Sequence, residues 1–108
     1  MATPEQVREA MFANDRASKA LGMEVVSIAV GRATVTMLVR DDMLNGFDIC
    51  HGGLIATLAD SAFAFACNAR NEMTVASGFD VSLVAPAHVG DRLRAEAVEA
   101  HMAGRTGL

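Results

Sequence analysis

Residues 54–70 contain neither proline nor glycine and are built from alanine with leucine, isoleucine and phenylalanine. Alanine and leucine are good helix formers, so this run predicts one long helix. Counted from Gly52 it has roughly 17 to 19 residues, about 25 to 28 Å at 1.5 Å per residue. It is apolar on nearly every face, the pattern of a helix buried all round rather than lying on a surface. A chain of 108 residues can form one domain around such an element and little more. Ahead of the helix runs a polar loop, Asn45-Gly46-Phe47-Asp48-Ile49-Cys50-His51, that ends in Gly52-Gly53.

Two features of this helix go beyond structure. Gly52 and Gly53 occupy its first turn, and a carboxylate, Asp60, interrupts its apolar middle. The first turn of a helix presents backbone N–H groups without intrahelical partners at the positive end of the helix dipole. Glycine there lets a ligand come close to the backbone, since no Cβ stands in the way. Such a site suits a carbonyl oxygen that gains negative charge during acyl transfer. A carboxylate in apolar surroundings is costly unless it is satisfied or used, and Asp60 has the chemistry of a nucleophile or general base. Plainer readings stand beside these: a tight turn for the glycines, and a hydrogen bond to a neighbouring loop for Asp60.

The succession Asn45-Gly46, Cys50-His51-Gly52-Gly53, Leu58-Ala59-Asp60, then Ala62, Ala64, Ala66 and Asn68, resembles the signature of the PaaI-type hot-dog thioesterases, the phenylacetyl-CoA thioesterase group. The similarity runs from Met11-Phe12-Ala13-Asn14-Asp15, through Lys19-Ala20-Leu21-Gly22, to Gly104-Arg105-Thr106-Gly107. The resemblance implies an α+β hot-dog fold over residues 1–108, with a curved antiparallel sheet wrapped around the long central helix. It implies hydrolysis of phenylacetyl-CoA or related aryl-acyl-CoA thioesters. The helix carboxylate, here Asp60, attacks the thioester or activates water, and an amide of Gly52 or Gly53 polarises the carbonyl. Asn45 and His51 fall on the polar loop positions of the motif, and the resemblance implies that they position substrate or water in the catalytic site.

One consequence follows from helix geometry alone. Gly52 and Asp60 are eight positions apart, about 12 Å along a helix axis. A reacting carbonyl needs its oxygen within about 3 Å of the donor and its carbon beside the nucleophile. If both groups act, they come from different subunits related by a two-fold axis, so the active unit is at least a homodimer. A homotetramer made of two such dimers is the expected assembly, although the geometry itself requires only the dimer.

Composition limits the other possibilities. Apolar residues make up 52% of the chain, aromatics only 5%, and Trp and Tyr are absent, which fits an aliphatic interior rich in methionine. The formal net charge of −4 argues against a nucleic-acid surface. Cys50 and Cys67 have no metal-ligand spacing around them. No P-loop, dinucleotide fingerprint, zinc spacing or nucleophile elbow occurs, so neither cofactor nor metal is expected. The first residues carry no signal-peptide pattern, and the apolar run is too short to span a bilayer. A soluble, cytoplasmic enzyme is expected.

Taken in order, Thr3-Pro4-Glu5-Gln6 reads as a capped helix start, with the helix reaching about Asn14 and a further turn over Ala17–Leu21 closed by Gly22. Met23–Val30 and Ala33–Arg40 read as strands joined by a turn at Gly31-Arg32. Asp41-Asp42 reads as a solvated loop start rather than a metal site. From Thr74 to Val84 the pattern is two-periodic and predicts a strand, with Gly78 permitting a close approach. Arg92–Met102 predicts another strand whose parity slips between Ala97 and Val98, the mark of a β-bulge. Arg92 and Arg94 are candidates to touch CoA phosphates, although exposed strand arginines are commonly plain surface. Gly104-Arg105-Thr106-Gly107 reads as a hairpin turn. PaaI-type chains go on from there to supply two further strands, so the resemblance implies unpaired edges and an incompletely covered helix in the present chain.

Cys50-His51 does not make a nucleophile–base pair, because sequence neighbours rarely face each other productively and no third group orients the histidine. Ser61 and Asn68, on the central helix, are candidate substrate-binding residues as well as ordinary structural ones. Two functional classes remain: an acyl-CoA thioesterase, and a non-catalytic hot-dog module that binds acyl-CoA or serves in assembly. A hot-dog dehydratase fits poorly, since its His-plus-acid pair is not evident.

Overall fold

A computed structural model of the chain describes residues 1–108. The N-terminal helix α1 (Pro4–Asn14) starts as its sequence dictates. Gln6 N–H donates to the Thr3 hydroxyl at 3.2 Å and Thr3 N–H donates to Gln6 Oε1 at 2.9 Å, closing a reciprocal cap. Asp15 ends α1 and caps α2 (Arg16–Ala20). Gly22 then reverses the chain at φ +69°, a conformation that glycine adopts without steric cost. The chain enters a meander of β1 (Glu24–Ala29) and β2 (Arg32–Leu38), turning over Val30-Gly31 one residue earlier than the sequence suggests.

A three-stranded antiparallel sheet has the order β1-β2-β3, with β3 spanning Arg92–Val98. Pairing of Ala33 with Ala97, Val35 with Ala95 and Met37 with Leu93 puts these six side chains on one face. That face packs on the central helix α3 (Gly52–Asn68), whose Leu58, Ala62, Phe65 and Ala66 are buried in one core cluster with Val35, Met37, Met23 and Val39. Phe65 is fully buried. Each such side chain contributes about 1.5–3 kcal/mol through the apolar surface it removes from water. The alternate residues of β3, Arg92, Arg94, Glu96 and Val98, are exposed on the outer face of the sheet.

Three expectations need correction. Residues 74–84 form no strand. Their apolar residues are exposed, and a Cβ placed on Gly78 would meet nothing within 4 Å, so no close approach occurs there. Alternation supplies a strand's pattern, but a strand needs a ladder partner and none of the three sheet strands pairs with this segment. The bulge expected between Ala97 and Val98 is absent, since the β2–β3 register is unbroken through Val98. The kink falls further on, where the amides of Ala100 and His101 both donate to Leu108 O at 2.6 and 3.0 Å. There the chain turns through the short hairpin β4 (Met102–Ala103) and β5 (Thr106–Gly107). Finally, α3 is not buried all round within one chain, because Gly53, Ala59 and Asp60 on its far side are exposed.

Candidate active site

The loop before α3 is shaped by its own polar groups. Asn45 Oδ1 accepts from Phe47 N–H at 2.9 Å and from Ile49 N–H at 3.4 Å, while Asn45 N–H donates to Ile49 O at 2.8 Å. An asparagine at the head of such a turn mimics a backbone turn and fixes the loop. Asp48, at φ +61°, completes the reversal. The loop is then pinned to the core, with Cys50 N–H donating to Ala87 O and His51 N–H to Met43 O, both at 2.8 Å.

His51 is the N-cap of α3, and its Nδ1 accepts from Gly53 N–H at 3.3 Å. In the neutral ring this leaves the proton on Nε2, free to donate elsewhere. The cap also separates the two glycines. Gly53 N–H is held by His51, whereas Gly52 N–H has no hydrogen-bond acceptor in the chain and stands at the positive end of α3. Asp60 lies two turns further along the same helix, exposed and without an ion pair. Gly53, Asp60 and Cys67 are spaced by seven residues and so form one stripe, flanked by Ala56 and Ala64. The carboxylate therefore sits on an open face lined by small side chains, rather than in the apolar interior that the sequence suggests.

The remaining candidates are drawn elsewhere. Ser61 is buried on the opposite side of α3, with its Oγ 2.7 Å from Ser18 Oγ. Ser18 gives its single proton to Asp15 Oδ2 at 2.7 Å, so Ser61 is the donor in a relay joining α3 to α2. Asn68 donates to Ala64 O and Thr74 O at 2.8 and 2.9 Å and accepts from Thr74 N–H at 2.9 Å. These bonds engage both amide hydrogens, so Asn68 clamps the end of α3 to the following chain and has no donor left for a ligand. Arg92 and Arg94 point from the outer face of the sheet, and Arg94 pairs with Glu96 at 2.7 Å. They do not share a site with Asp60 in one chain.

Burial pushes the thiols of both Cys50 and Cys67 above their ordinary value; for Cys67 the negative charge of Glu99 adds to the rise and the positive charge of Arg70 offsets it. Thiols held protonated are poor nucleophiles, which agrees with the rejection of a Cys-His pair. Arg70 is itself raised by its hydrogen bond and charge pairing with Glu99, a contact that ties the end of α3 to the end of β3. Arg40 pairs with Asp42 and donates twice to Ala20 O at 3.1 Å, so the Asp41-Asp42 stretch is engaged in holding α2. Sequence reasoning missed one contact. Leu83 lies against Gly52, and no local pattern could have shown it.

Comparison with known proteins agrees with the fold. Residues 47–107 match the model of the Thioesterase superfamily. The chain is 44% identical over 103 residues to the acyl-coenzyme A thioesterase PaaI of Escherichia coli, covering 95% of this chain and 74% of that protein. It is 34% identical over 102 residues to a putative esterase of Archaeoglobus fulgidus, covering 94% of this chain and 66% of the relative. The solved structure of the E. coli PaaI protein superimposes with a TM-score of 0.94 at 43% identity, over 96% of this chain and 75% of that one. That superposition bears out the hot-dog expectation. No helix is long and apolar enough to cross a membrane.

Proposed function

Because the chain belongs to the thioesterase superfamily, a family of thioester-hydrolysing enzymes, we propose that it hydrolyses acyl-CoA thioesters, with phenylacetyl-CoA or a related aryl-acyl-CoA as substrate. The observation that carries the site assignment is the free amide of Gly52, held at the start of α3 while its neighbour Gly53 is bound by the His51 cap. In this reading Gly52 N–H donates to the thioester carbonyl oxygen as it becomes an oxyanion, and the helix dipole adds to the stabilisation. Asp60 supplies the carboxylate, either attacking the carbonyl carbon or removing a proton from the attacking water. The C–S bond then breaks, CoA leaves as its thiolate, and water provides the oxygen of the free acid. Asn45 holds the loop, and His51 presents its Nε2–H beside the substrate. The substrate class rests on the E. coli relative, named an acyl-coenzyme A thioesterase, whose structure is described as coming from a phenylacetic acid degradation operon.

The site is completed by a second copy of the chain. Gly52 and Asp60 lie on one helix, about 12 Å apart along its axis. A carbonyl oxygen about 3 Å from the amide puts an attacking atom no more than about 7 Å from it. Two α3 helices packed antiparallel through the stripe of Gly53, Ala56 and Ala64 bring one chain's Asp60 toward the other's Gly52. Pairs of such dimers form the tetramer. The substrate and the two free thiols agree with a cytoplasmic setting. The decisive experiment is Asp60→Asn, with hydrolysis followed as release of free CoA thiol from phenylacetyl-CoA. Turnover should vanish while fold and assembly persist, since the exposed side chain keeps its size. Activity within about tenfold of the unaltered protein, a barrier change of only ~1.4 kcal/mol, removes Asp60 from the chemistry.

A further inference from the structure

Although residues 74–84 form no strand, one of their side chains occupies a definite place. A Cβ built on Gly52 would lie 2.5 Å from Leu83 Cδ1. With a Cα–Cβ bond of about 1.5 Å, the methyl stands within about 4 Å of the Gly52 Cα. The backbone beyond Leu83 is tied down. Ala87, four residues on, is 6% exposed and its carbonyl accepts from Cys50 N–H at 2.8 Å, two residues before Gly52. Leu83 itself is 55% exposed, so one methyl rests on the glycine and the remainder faces the open side of the helix start.

We propose that Leu83 is a specificity-determining residue that sets how much bulk the enzyme accepts on the carbon next to the thioester carbonyl. The inference rests on the thioesterase reading above. A carbonyl oxygen accepting from Gly52 N–H lies about 3 Å from a nitrogen that is itself about 1.46 Å from the Gly52 Cα. The Leu83 methyl packs on that same Cα, so the isobutyl group flanks the approach to the Gly52 N–H, where the carbon next to the carbonyl sits in this reading. An apolar wall on that approach favours a methylene there and rejects a branch. A Cβ at position 52 would displace that wall.

The test compares n-butyryl-CoA with isobutyryl-CoA, which differ only in where one methyl group sits relative to the carbonyl. Leu83→Ala should shift the ratio of kcat/KM values by about tenfold toward the branched substrate. One carbon of fit in an apolar pocket is worth about 10- to 200-fold, and the lower end applies to a half-exposed wall. Leu83→Phe should shift the ratio the other way. Val84→Ala, at a neighbouring residue 94% exposed, should leave it unchanged. A second arm needs no choice of acyl group. Gly52→Ala keeps the N–H but forces its Cβ on Leu83, so its rate should fall, and adding Leu83→Ala should recover much of the loss. Turnover with the same substrate ratio in both Leu83 variants, or a double variant as slow as Gly52→Ala alone, overturns the assignment of Leu83 and leaves the thioesterase reading standing. If the unaltered protein turns over no acyl-CoA at all, that reading fails and this one goes with it.

Discussion

The shared site can be tested by rebuilding it from two broken halves. Gly52→Pro deletes the free N–H outright. The position tolerates the ring: Gly52 is the first helical residue, its N–H bonds to nothing in the chain, and His51 before it has the extended ψ of 127° that a following proline demands. The added Cβ would press on Leu83 Cδ1, the free end of a flexible side chain, so Gly52→Ala serves as the matched control with the same Cβ and an intact N–H. Proline should reduce kcat below the alanine variant by about 10²- to 10³-fold, the usual cost of losing one oxyanion donor, or about 2.7–4 kcal/mol. Asp60→Asn should be equally inert for a different reason. When the two inert proteins are unfolded together and refolded at equal concentration, random pairing makes about half of the dimers mixed, and one of the two sites in each mixed dimer has both Gly52 and Asp60 intact. Activity should therefore return to roughly a quarter of the unaltered level by this symmetry count. The assay is steady-state thiol release, with circular dichroism to confirm that both variants fold and mass spectrometry to confirm that subunits exchange. A mixture of folded, exchanging chains that remains inert would refute the two-subunit site.

Asn68→Ala removes three hydrogen bonds at the end of α3 and should cost about 2–3 kcal/mol in urea unfolding with little change in KM; a raised KM at unchanged stability would return Asn68 to the substrate site. Ser18→Ala strands the buried Ser61 hydroxyl and should cost about 1–3 kcal/mol, whereas the Ser18→Ala/Ser61→Ala double variant should cost less than the sum of the two single ones, as a double-mutant cycle in chemical denaturation will report. The buried thiols predict a pH effect of definite sign. Folding holds Cys50 and Cys67 protonated above their ordinary value of 9.0, so their contribution is fully present below pH 9.0 and is lost as pH rises through the folded values, where the unfolded chain has already ionised. Thermal midpoints measured from pH 8 upward should therefore decline, and a Cys50→Ala/Cys67→Ala variant should decline less steeply; identical slopes would rule the thiols out.

The elements that the sequence shows plainly are those whose causes are local. The Thr3–Gln6 capping box, the proline at the first position of α1, the glycine stop at Gly22 and the unbroken run of α3 all rest on residues within a few positions of each other. The site motif was legible for the same reason, as its glycines, histidine and carboxylate lie on one continuous loop and helix. Residues 74–84 mark where such reading ends. Their alternation between Val75 and Leu83 is as regular as that of β3, yet only β3 has β2 beside it to complete a ladder.

Residue order is enough to show a long helix that begins at two glycines and carries a carboxylate eight residues on, because helical rise and the spare amides of a first turn are properties of any helix. If both groups act in one reaction, as proposed, the same spacing calls for two chains, since that separation exceeds the reach of a carbonyl. Which glycine keeps a free amide is a matter of the folded chain, because it depends on where the His51 ring turns. Tertiary packing likewise turned Asp60 outward and Ser61 and Asn68 toward structural partners, since the sheet covers one side of α3 and the residues facing it must satisfy their polar groups within the chain. And it laid Leu83 on Gly52, thirty-one positions apart in the chain, a contact made by the fold of residues 83–87 around the loop and visible in neither segment alone.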